Sequence, residues 1–220
     1  MTYIDLNGEE KKLCFGDHLS SIYQNKEQQF AFIVPFIMEG LDNNQKCVYV
    51  MDENTEESIR LEFEKDGFKI DKYLESRQLE LVKSNDTYLN GGTFKPEVML
   101  NTIEMMEMKA VEEGYFGLRG TGEMGISIKE KIDDVELIDY ESRINEFMVG
   151  RRIILICQYN ENKIDYKVLN NIIRTHPLLI VYGKMYENKY FYTAPEYMDK
   201  GSDLLPAEAY KTVIDTIISE

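Results

Sequence analysis

The chain has 220 residues, of which 43% are hydrophobic and 30% are charged. This composition is typical of a globular protein with one large domain or two small ones, and it excludes a disordered or fibrous chain. Lys and Arg number 25 against 40 Asp and Glu, a net charge of −15, and because such a charge repels polyanions we expect no nucleic-acid binding.

The first half of the chain alternates between strand-like and helical segments. In chain order we predict a strand at 18–23, a helix at 26–41, a strand at 45–51, a helix at 54–66 and a strand at 78–83. The first helix has apolar residues on all its faces, including Phe32, Phe36 and Met38, which predicts a largely buried helix. Pro35 inside it favours a kink.

The second half continues this alternation. In chain order we predict a helix at 96–114, a strand at 115–119, a glycine-rich loop at 120–125, a helix at 135–150, a strand at 152–158, a helix at 165–175, a strand at 178–182, a hairpin at 184–193 that turns at Glu187 and Asn188, and a helix at 206–219. The continuous apolar run at 153–156 is typical of a strand that is buried on both faces.

Alternation of this kind predicts parallel strands joined by crossover helices. We therefore expect residues 1–220 to form a single α/β domain, with a mostly parallel sheet and an antiparallel edge near the C-terminus. Ligands of such sheets bind beyond the carboxyl ends of the strands. A site is therefore expected in the loops that follow Tyr23, Met51, Lys83, Arg119, Gln158 and Tyr182.

Hydropathy and cysteine content favour a cytoplasmic protein without a membrane span. No run reaches about 18 consecutive apolar residues, and residues 1–12 lack the apolar stretch of a secretory signal. The three cysteines are Cys14, Cys47 and Cys157. Their odd number and the lack of a Cys-x-x-Cys pair indicate reduced thiols rather than a disulfide framework.

The glycine-rich segment at 120–125 matches G-x-G-x-x-G after a predicted strand, as dinucleotide-binding loops do. Its position late in the chain and the poor helix start at 126–128 argue against that interpretation. The alternative is a mobile loop that needs positive φ angles. Residues 117–122 also have Walker A spacing, but Glu123 and Met124 stand where Lys and Ser or Thr are required, so we expect no P-loop hydrolysis.

The candidate metal ligands are Cys14 with His18, and Cys157 with His176. Structural zinc sites usually show paired short spacings, and this set offers only Cys-x-x-x-His. A Cys-His catalytic pair has no local signature either. The favoured interpretation is that Cys157 is inert core with a raised pKa, so we assign no metal site and no catalytic residue.

The methionines and tyrosines can be interpreted either as core residues or as the lining of a ligand pocket. A stripe of methionines favours packing in the hydrophobic core, and an adaptable pocket is the second interpretation. The stripe contains Met99, Met105, Met106 and Met108. Several tyrosines lie at or near strand ends, where they could provide hydroxyl donors to a small, partly apolar pocket or form a hydrated rim. These are Tyr23, Tyr88, Tyr140, Tyr159 and Tyr192.

The landmarks of the chain, taken in order, resemble those of one family. They are DHLSSIY at 17–23, PFIMEGL at 35–41, CVYV at 47–50, Tyr88 with GGTF at 91–94, LR at 118–119 with GEM at 122–124, YE at 140–141, ICQY at 156–159, THP at 175–177 and YTAP at 192–195. Over about residues 13–196 the chain resembles the MEDS domain, the methanogen/methylotroph DcmR sensory domain. The resemblance implies a three-layer RecA-like fold, similar to circadian-clock ATPases, that lacks the phosphate-loop lysine. It also implies detection of small hydrocarbon derivatives such as one-carbon compounds.

The same resemblance implies a set of ligand-binding side chains around one pocket. They are His18, Tyr23, Arg119, Glu123, Glu141, Tyr159 and His176. We expect Arg119 to pair with Glu123, with Glu141 or with an anionic group of the ligand. His176 is either a pocket residue or a partner of a helix C-terminus.

We therefore expect a cytoplasmic sensory domain that binds a small organic ligand and is not an enzyme. No cofactor is assigned. Because the sequence carries no helix-turn-helix and no kinase module, the output would pass to a separate regulator or kinase protein, and self-association is an option by analogy of fold. The alternatives are a degenerate nucleotide-binding or hydrolytic domain that uses residues 120–125 with Asp52 and Glu53, and a stand-alone protein-interaction module.

Overall fold

A computed structural model describes residues 1–4, 8–89, 92–130, 132–193 and 206–219. Two parts of the landmark series, Gly91 and residues 194–195, lie outside these residues. At the start of the chain, β1 (Thr2–Ile4) and β2 (Glu10–Lys12) form a separate antiparallel pair. The sequence analysis did not predict this pair.

Within the described residues, seven further strands form the main sheet. They are β3 (His18–Tyr23), β4 (Lys46–Met51), β5 (Leu79–Lys83), β6 (Leu118–Glu123), β7 (Ile153–Asn160), β8 (Leu178–Val181) and β9 (Lys184–Glu187). Their order across the sheet is β5-β4-β6-β7-β3-β8-β9. Every neighbouring pair is parallel except β8 and β9, which are antiparallel. The predicted parallel sheet with an antiparallel edge near the C-terminus is confirmed.

Helices cover both faces of the sheet. They are α1 (Lys26–Asp42), α2 (Glu56–Lys65), α3 (Asp71–Glu75), a π-helix (Asn85–Leu89), α4 (Pro96–Glu112), α5 (Ile126–Lys129), α6 (Asp134–Phe147), α7 (Tyr166–Thr175) and α8 (Ala209–Ile218). The α3 and α5 segments and the π-helix were not predicted. No helix in the described segments combines the length and the apolar character needed to cross a membrane.

Two hydrophobic cores lie on opposite faces of the sheet. One contains buried side chains of α4, α6, α7 and α8, and the other contains those of α1 and α2. β7 contributes to both, since Leu155 and Tyr159 belong to the first core and Ile154 and Ile156 to the second. The prediction that the apolar run at 153–156 is buried on both faces is confirmed.

The C-terminal hairpin turns earlier than the sequence analysis predicted. β8 and β9 are joined by Tyr182 and Gly183, whose φ angles are +51° and +87°. Two-residue hairpin turns with positive φ match the twist of the strands they join. Asn188 instead donates through Nδ2 to the carbonyls of Ile173 and His176. The predicted turn at Glu187 and Asn188 is therefore wrong, because the Asn188 side chain is hydrogen-bonded to the C-terminal end of α7.

The glycine-rich segment is part of a strand and not a loop. β6 runs from Leu118 to Glu123, so the predicted strand at 115–119 is placed too early, and the predicted mobile loop with positive φ angles is wrong. A Cβ atom on Gly120 would lie 2.7 Å from Leu155 Cδ2, and one on Gly122 would overlap Tyr88 Oη. The two glycines therefore leave room for side chains that pack over the sheet.

We expect Gly122→Ala to lower the free energy of unfolding by about 1 to 3 kcal/mol, the usual range for overpacking a core. Adding Tyr88→Phe should recover part of this loss, because it removes the overlapping hydroxyl. Gly92→Ala is the control, since a Cβ there meets nothing closer than 3.8 Å. Urea unfolding of the four proteins provides the measurement. Equal stability of Gly122→Ala and the unsubstituted protein would contradict this packing.

Candidate functional site

Four titratable side chains from four elements converge inside the protein. They are His18 at the start of β3, Glu141 on α6, Cys157 on β7 and His176 at the C-terminal end of α7. All four are buried, and one nitrogen, oxygen or sulfur atom of each lies within 4.8 Å of those of the others. We refer to these four residues as the Glu141 cluster.

The fold explains how the Glu141 cluster is assembled. β3 and β7 are neighbouring parallel strands, which brings His18 beside Cys157. α6 and α7 pack against each other. His176 ends α7 in an extended conformation, with φ −120° and ψ 122°, as expected for a residue before a proline, here Pro177.

Short contacts link the members of the cluster. Oε2 of Glu141 lies 3.3 Å from Nε2 of His18 and 3.3 Å from Nε2 of His176. Sγ of Cys157 lies 3.6 Å from the same His18 nitrogen. The Tyr159 hydroxyl donates a hydrogen bond to the other carboxylate oxygen, Oε1. The carboxylate of Glu141 is therefore the centre of the cluster.

The outer nitrogen of each imidazole is held by the surrounding chain. Nδ1 of His18 lies 3.1 Å from Oδ1 of Asn145, and Nδ2 of Asn145 donates to the Thr175 carbonyl at 2.7 Å. Nδ1 of His176 lies 2.7 Å from the Ile172 carbonyl. His176 is thus a partner of a helix C-terminus, which was one of its two predicted roles; its role in a ligand pocket stays a prediction.

Burial and the contacts between side chains shift the pKa values of His18, Glu141 and Cys157. Burial lowers the pKa of His18, with His176 nearby as the second cause, and it raises the pKa of Cys157 well above its ordinary value. For Glu141, burial acts to raise the pKa, but His176 and His18 outweigh it and the pKa is lowered. At neutral pH this gives a carboxylate beside a neutral His18 and a protonated thiol.

The order Cys157, His18, Asn145 is that of a thiol-based catalytic triad. A nucleophilic cysteine needs an accessible thiolate. Cys157 is 6% exposed, and burial and the nearby Glu141 both raise its pKa. The arrangement therefore favours binding over nucleophilic catalysis.

A narrow cavity of about 40 Å³ adjoins the cluster. It lies between α4, the π-helix and the strands β4, β6 and β7, and Cys157 is part of both the cavity wall and the cluster. Most of the wall is apolar and includes Val50, Met99, Ile103 and Met106. Met99 and Met106 pack in the hydrophobic core on this face, as the favoured interpretation of the methionine stripe predicted, and they also line the cavity. By contrast, Met105 and Met108 are exposed.

The predicted site residues do not all surround one pocket. His18, Glu141, Tyr159 and His176 come together, as described above. Glu123 instead accepts hydrogen bonds from the backbone amides of Asp52 (2.8 Å), Glu53 and Asn54 (3.0 Å), which holds the loop after β4. Tyr23 lies near this loop: burial and the neighbouring carboxylates of Glu53, Glu123 and Asp52 raise its pKa.

Arg119 lies at the amino end of β6, on the face covered by α1. Its guanidinium donates to Glu39 at 2.8 Å, to the Phe36 carbonyl at 2.9 Å and to Gln45 Oε1 at 2.7 Å. Arg119 therefore pairs with neither Glu123 nor Glu141, and its predicted pairing with an anionic group of a ligand stays a prediction. Arg119 and Glu123 share one face of β6, but four residues of strand separate them by about 13 Å. Glu141 lies on α6, which covers the other face of the sheet.

Cys157, a member of the cluster, and Asn145, the partner of His18, were not in the predicted set. Cys157 was assigned to inert core because it lies in an apolar run, which indicates burial but not what the thiol contacts. Asn145 follows Glu141 by four residues on α6, and residues at this spacing lie on one helix face. That spacing is a signal that could have identified Asn145.

A model of the family described as MEDS, the MEthanogen/methylotroph, DcmR Sensory domain, matches residues 17–177. The chain belongs to the MEDS family. The matched span contains every residue of the Glu141 cluster, with His18 and His176 near its two ends. No curated protein matches this MEDS domain.

Solved structures show what the MEDS domain is similar to in fold. One is the flagellar accessory protein FlaH from Methanocaldococcus jannaschii, with a TM-score of 0.54, 14% identity and coverage of 77% of this chain and 72% of that one. Another is the KaiC-like protein PH0186 from Pyrococcus horikoshii OT3, with a TM-score of 0.50, 16% identity and coverage of 76% and 70%. The fold is RecA-like, as the resemblance implied.

We expect Arg119→Met to lower the free energy of unfolding by about 2 to 4 kcal/mol, because the buried Phe36 carbonyl and Gln45 side chain lose their donor. Arg143→Met is the control: Arg143 is 33% exposed and pairs with Glu97 and Asp139, and exposed pairs contribute less than about 1 kcal/mol. Chemical unfolding of both variants decides the matter. If Arg119→Met lowered the free energy of unfolding as little as Arg143→Met does, the structural role of Arg119 would be contradicted.

Proposed function

We propose that this MEDS domain senses a small organic molecule, of the one-carbon or hydrocarbon-derived class, that binds in the cavity beside Cys157. The family description supports a sensory role in general. The size of the cavity and the residues that line it support the proposed class of ligand.

The size of the cavity fits a ligand of very few atoms. A water-sized group needs about 10 to 15 Å³ of such space, so the cavity of about 40 Å³ accommodates about three of them. Drug-sized ligands occupy pockets of roughly 300 to 1,000 Å³. The dimensions therefore favour a molecule with one to three heavy atoms.

The walls fit an apolar ligand. Thr87 and Thr121 are among the residues that line the cavity, but their hydroxyls donate to the carbonyls of Lys83 (3.1 Å) and Ile156 (3.0 Å). Tyr88 and Tyr140 add aromatic surface. A compound with one weakly polar group and an apolar body matches this lining better than an ion does.

α4 is the element that would transmit binding to the surface. Its inner side borders the cavity through Met99, Ile103 and Met106, and its outer side exposes Met105 and Met108. A ligand that displaces α4 would alter the surface presented to a separate regulator or kinase protein. Slower hydrogen exchange along α4 on ligand addition is the expected signature.

The contacts at the strand ends disfavour the nucleotide alternative. A P-loop requires a glycine-rich stretch with Lys between a strand and a helix, whereas only Gln24 and Asn25 separate β3 from α1. The Asn25 side chain already accepts from the Gln28 amide of that helix end at 3.0 Å. Asp52 and Glu53 pair with lysines at 2.9 and 2.8 Å.

Thermal unfolding with a panel of one- to three-carbon alcohols, amines, thiols and halocarbons tests the proposal. A ligand at 100 times its dissociation constant should stabilise the protein by about 2.7 kcal/mol. Ile103→Phe, which fills the cavity, should abolish this gain. Val111→Phe should retain it, since Val111 lies on the same helix and is exposed.

Two results would contradict the proposal. One is a panel in which no compound stabilises the protein. The other is equal stabilisation of the Ile103→Phe variant, which would place the ligand outside the cavity. ATP with Mg²⁺ belongs in the same experiment, and saturable stabilisation by ATP would favour the nucleotide alternative.

A further inference from the structure

The geometry points to a divalent metal site formed by the four side chains of the Glu141 cluster, with zinc as the ion that the donors favour. Two imidazole nitrogens, one carboxylate oxygen and one sulfur are the ligand types that zinc binds in proteins, usually with tetrahedral geometry. The inference is independent of the ligand proposal, because it rests only on contacts within and around the cluster.

Two buried acceptor atoms of the cluster face each other without a hydrogen-bond partner. These are Oε2 of Glu141 and Nε2 of His176, and they lie 3.3 Å apart. The Ile172 carbonyl can only accept, so the contact places a proton on Nδ1 of His176, and in the tautomer without a second ring proton the lone pair is on Nε2. Opposed lone pairs repel in a buried environment, and a cation between them turns this repulsion into attraction.

His18 is oriented in the same way. Asn145 donates through Nδ2 to the Thr175 carbonyl, so its Oδ1 is the acceptor that faces Nδ1 of His18. His18 therefore donates from Nδ1, and its Nε2 lone pair points into the cluster. Metal-binding histidines have this arrangement, in which the outer ring nitrogen donates to a carbonyl or carboxylate and fixes the ring.

Three of the distances between the ligand atoms match those expected around a tetrahedral zinc ion. Zinc bonds of typical length would separate a ligand nitrogen from an oxygen by about 3.3 Å, and a nitrogen from a sulfur by about 3.6 Å. The Glu141 oxygen lies 3.3 Å from each imidazole nitrogen, and the Cys157 sulfur lies 3.6 Å from Nε2 of His18. All four donor atoms lie within 4.8 Å of one another, so four elements of the fold bring the complete set of ligands around one position.

Charge balance supports a divalent ion. The Glu141 carboxylate and a Cys157 thiolate together neutralise two positive charges, which leaves no net charge in a buried region. Glu123 provides an internal comparison, since it is also fully buried. Five donors reach the oxygens of Glu123, whereas Oε2 of Glu141 has none. The chain satisfies one buried carboxylate with hydrogen bonds and leaves the other directed at the cluster.

Metal analysis and cobalt substitution of the full chain test the site. Protein supplied with zinc and then desalted should retain one zinc ion per chain by mass spectrometry. With cobalt in place of zinc, the thiolate ligand should give a charge-transfer absorption band in the near ultraviolet. Cys157→Ser should lose this band, and Cys47→Ser should keep it, because Cys47 is also buried but belongs to the core on the opposite face.

A second variant tests the metal site if Cys157→Ser does not fold. Asn145→Ala leaves all four ligands in place and removes the partner of His18 Nδ1, together with the donor to the Thr175 carbonyl. Outer partners of this kind typically contribute about 10- to 100-fold to metal affinity. We expect a decrease in zinc affinity of that size with the cobalt band retained. No bound metal in the unsubstituted protein would overturn the assignment, as would an unchanged cobalt spectrum in a folded Cys157→Ser protein.

Discussion

The buried carboxylate of Glu141 is the constraint on which one side of this domain depends. An ionised carboxylate away from water is unfavourable unless donors or cations compensate its charge. Tyr159 supplies a donor to one carboxylate oxygen, and imidazole nitrogens of His18 and His176 lie 3.3 Å from the other, close enough to share a cation with it. The two histidines are 158 residues apart in the 220-residue chain. Because the three side chains come from β3, β7 and the end of α7, their convergence fixes how α6 and α7 lie against the sheet.

The two faces of the sheet use polar groups differently. On the face covered by α1, Arg119 is satisfied by Glu39 and other acceptors of the chain, and Glu123 at the strand ends is surrounded by donors. These contacts are complete within the protein, so they stabilise the fold. On the face covered by α4 and α6, a cavity adjoins a cluster whose central oxygen lacks a donor. The proposed ligand site and the proposed metal site therefore both lie on that face of the sheet.

Local patterns predicted most of the fold and part of the site. The strand at 18–23 and the helices near 26–42 and 166–175 follow from periodicity, which acts over a few residues. β6 was misplaced because Gly120 and Gly122 were interpreted as loop residues, whereas they make room for Leu155 and Tyr88, a contact that no local pattern encodes. Family resemblance supplied most of the cluster, but the role of Cys157 depends on tertiary packing of four elements.

Anomalous scattering at the zinc absorption edge, measured on crystals of the protein grown with zinc, tests the central claim most directly. The account predicts one strong peak inside the domain, within bonding distance of the carboxylate of Glu141, both imidazoles and the thiolate. Crystals with no peak there, in which Oε2 of Glu141 accepts hydrogen bonds from protonated histidines, would contradict it.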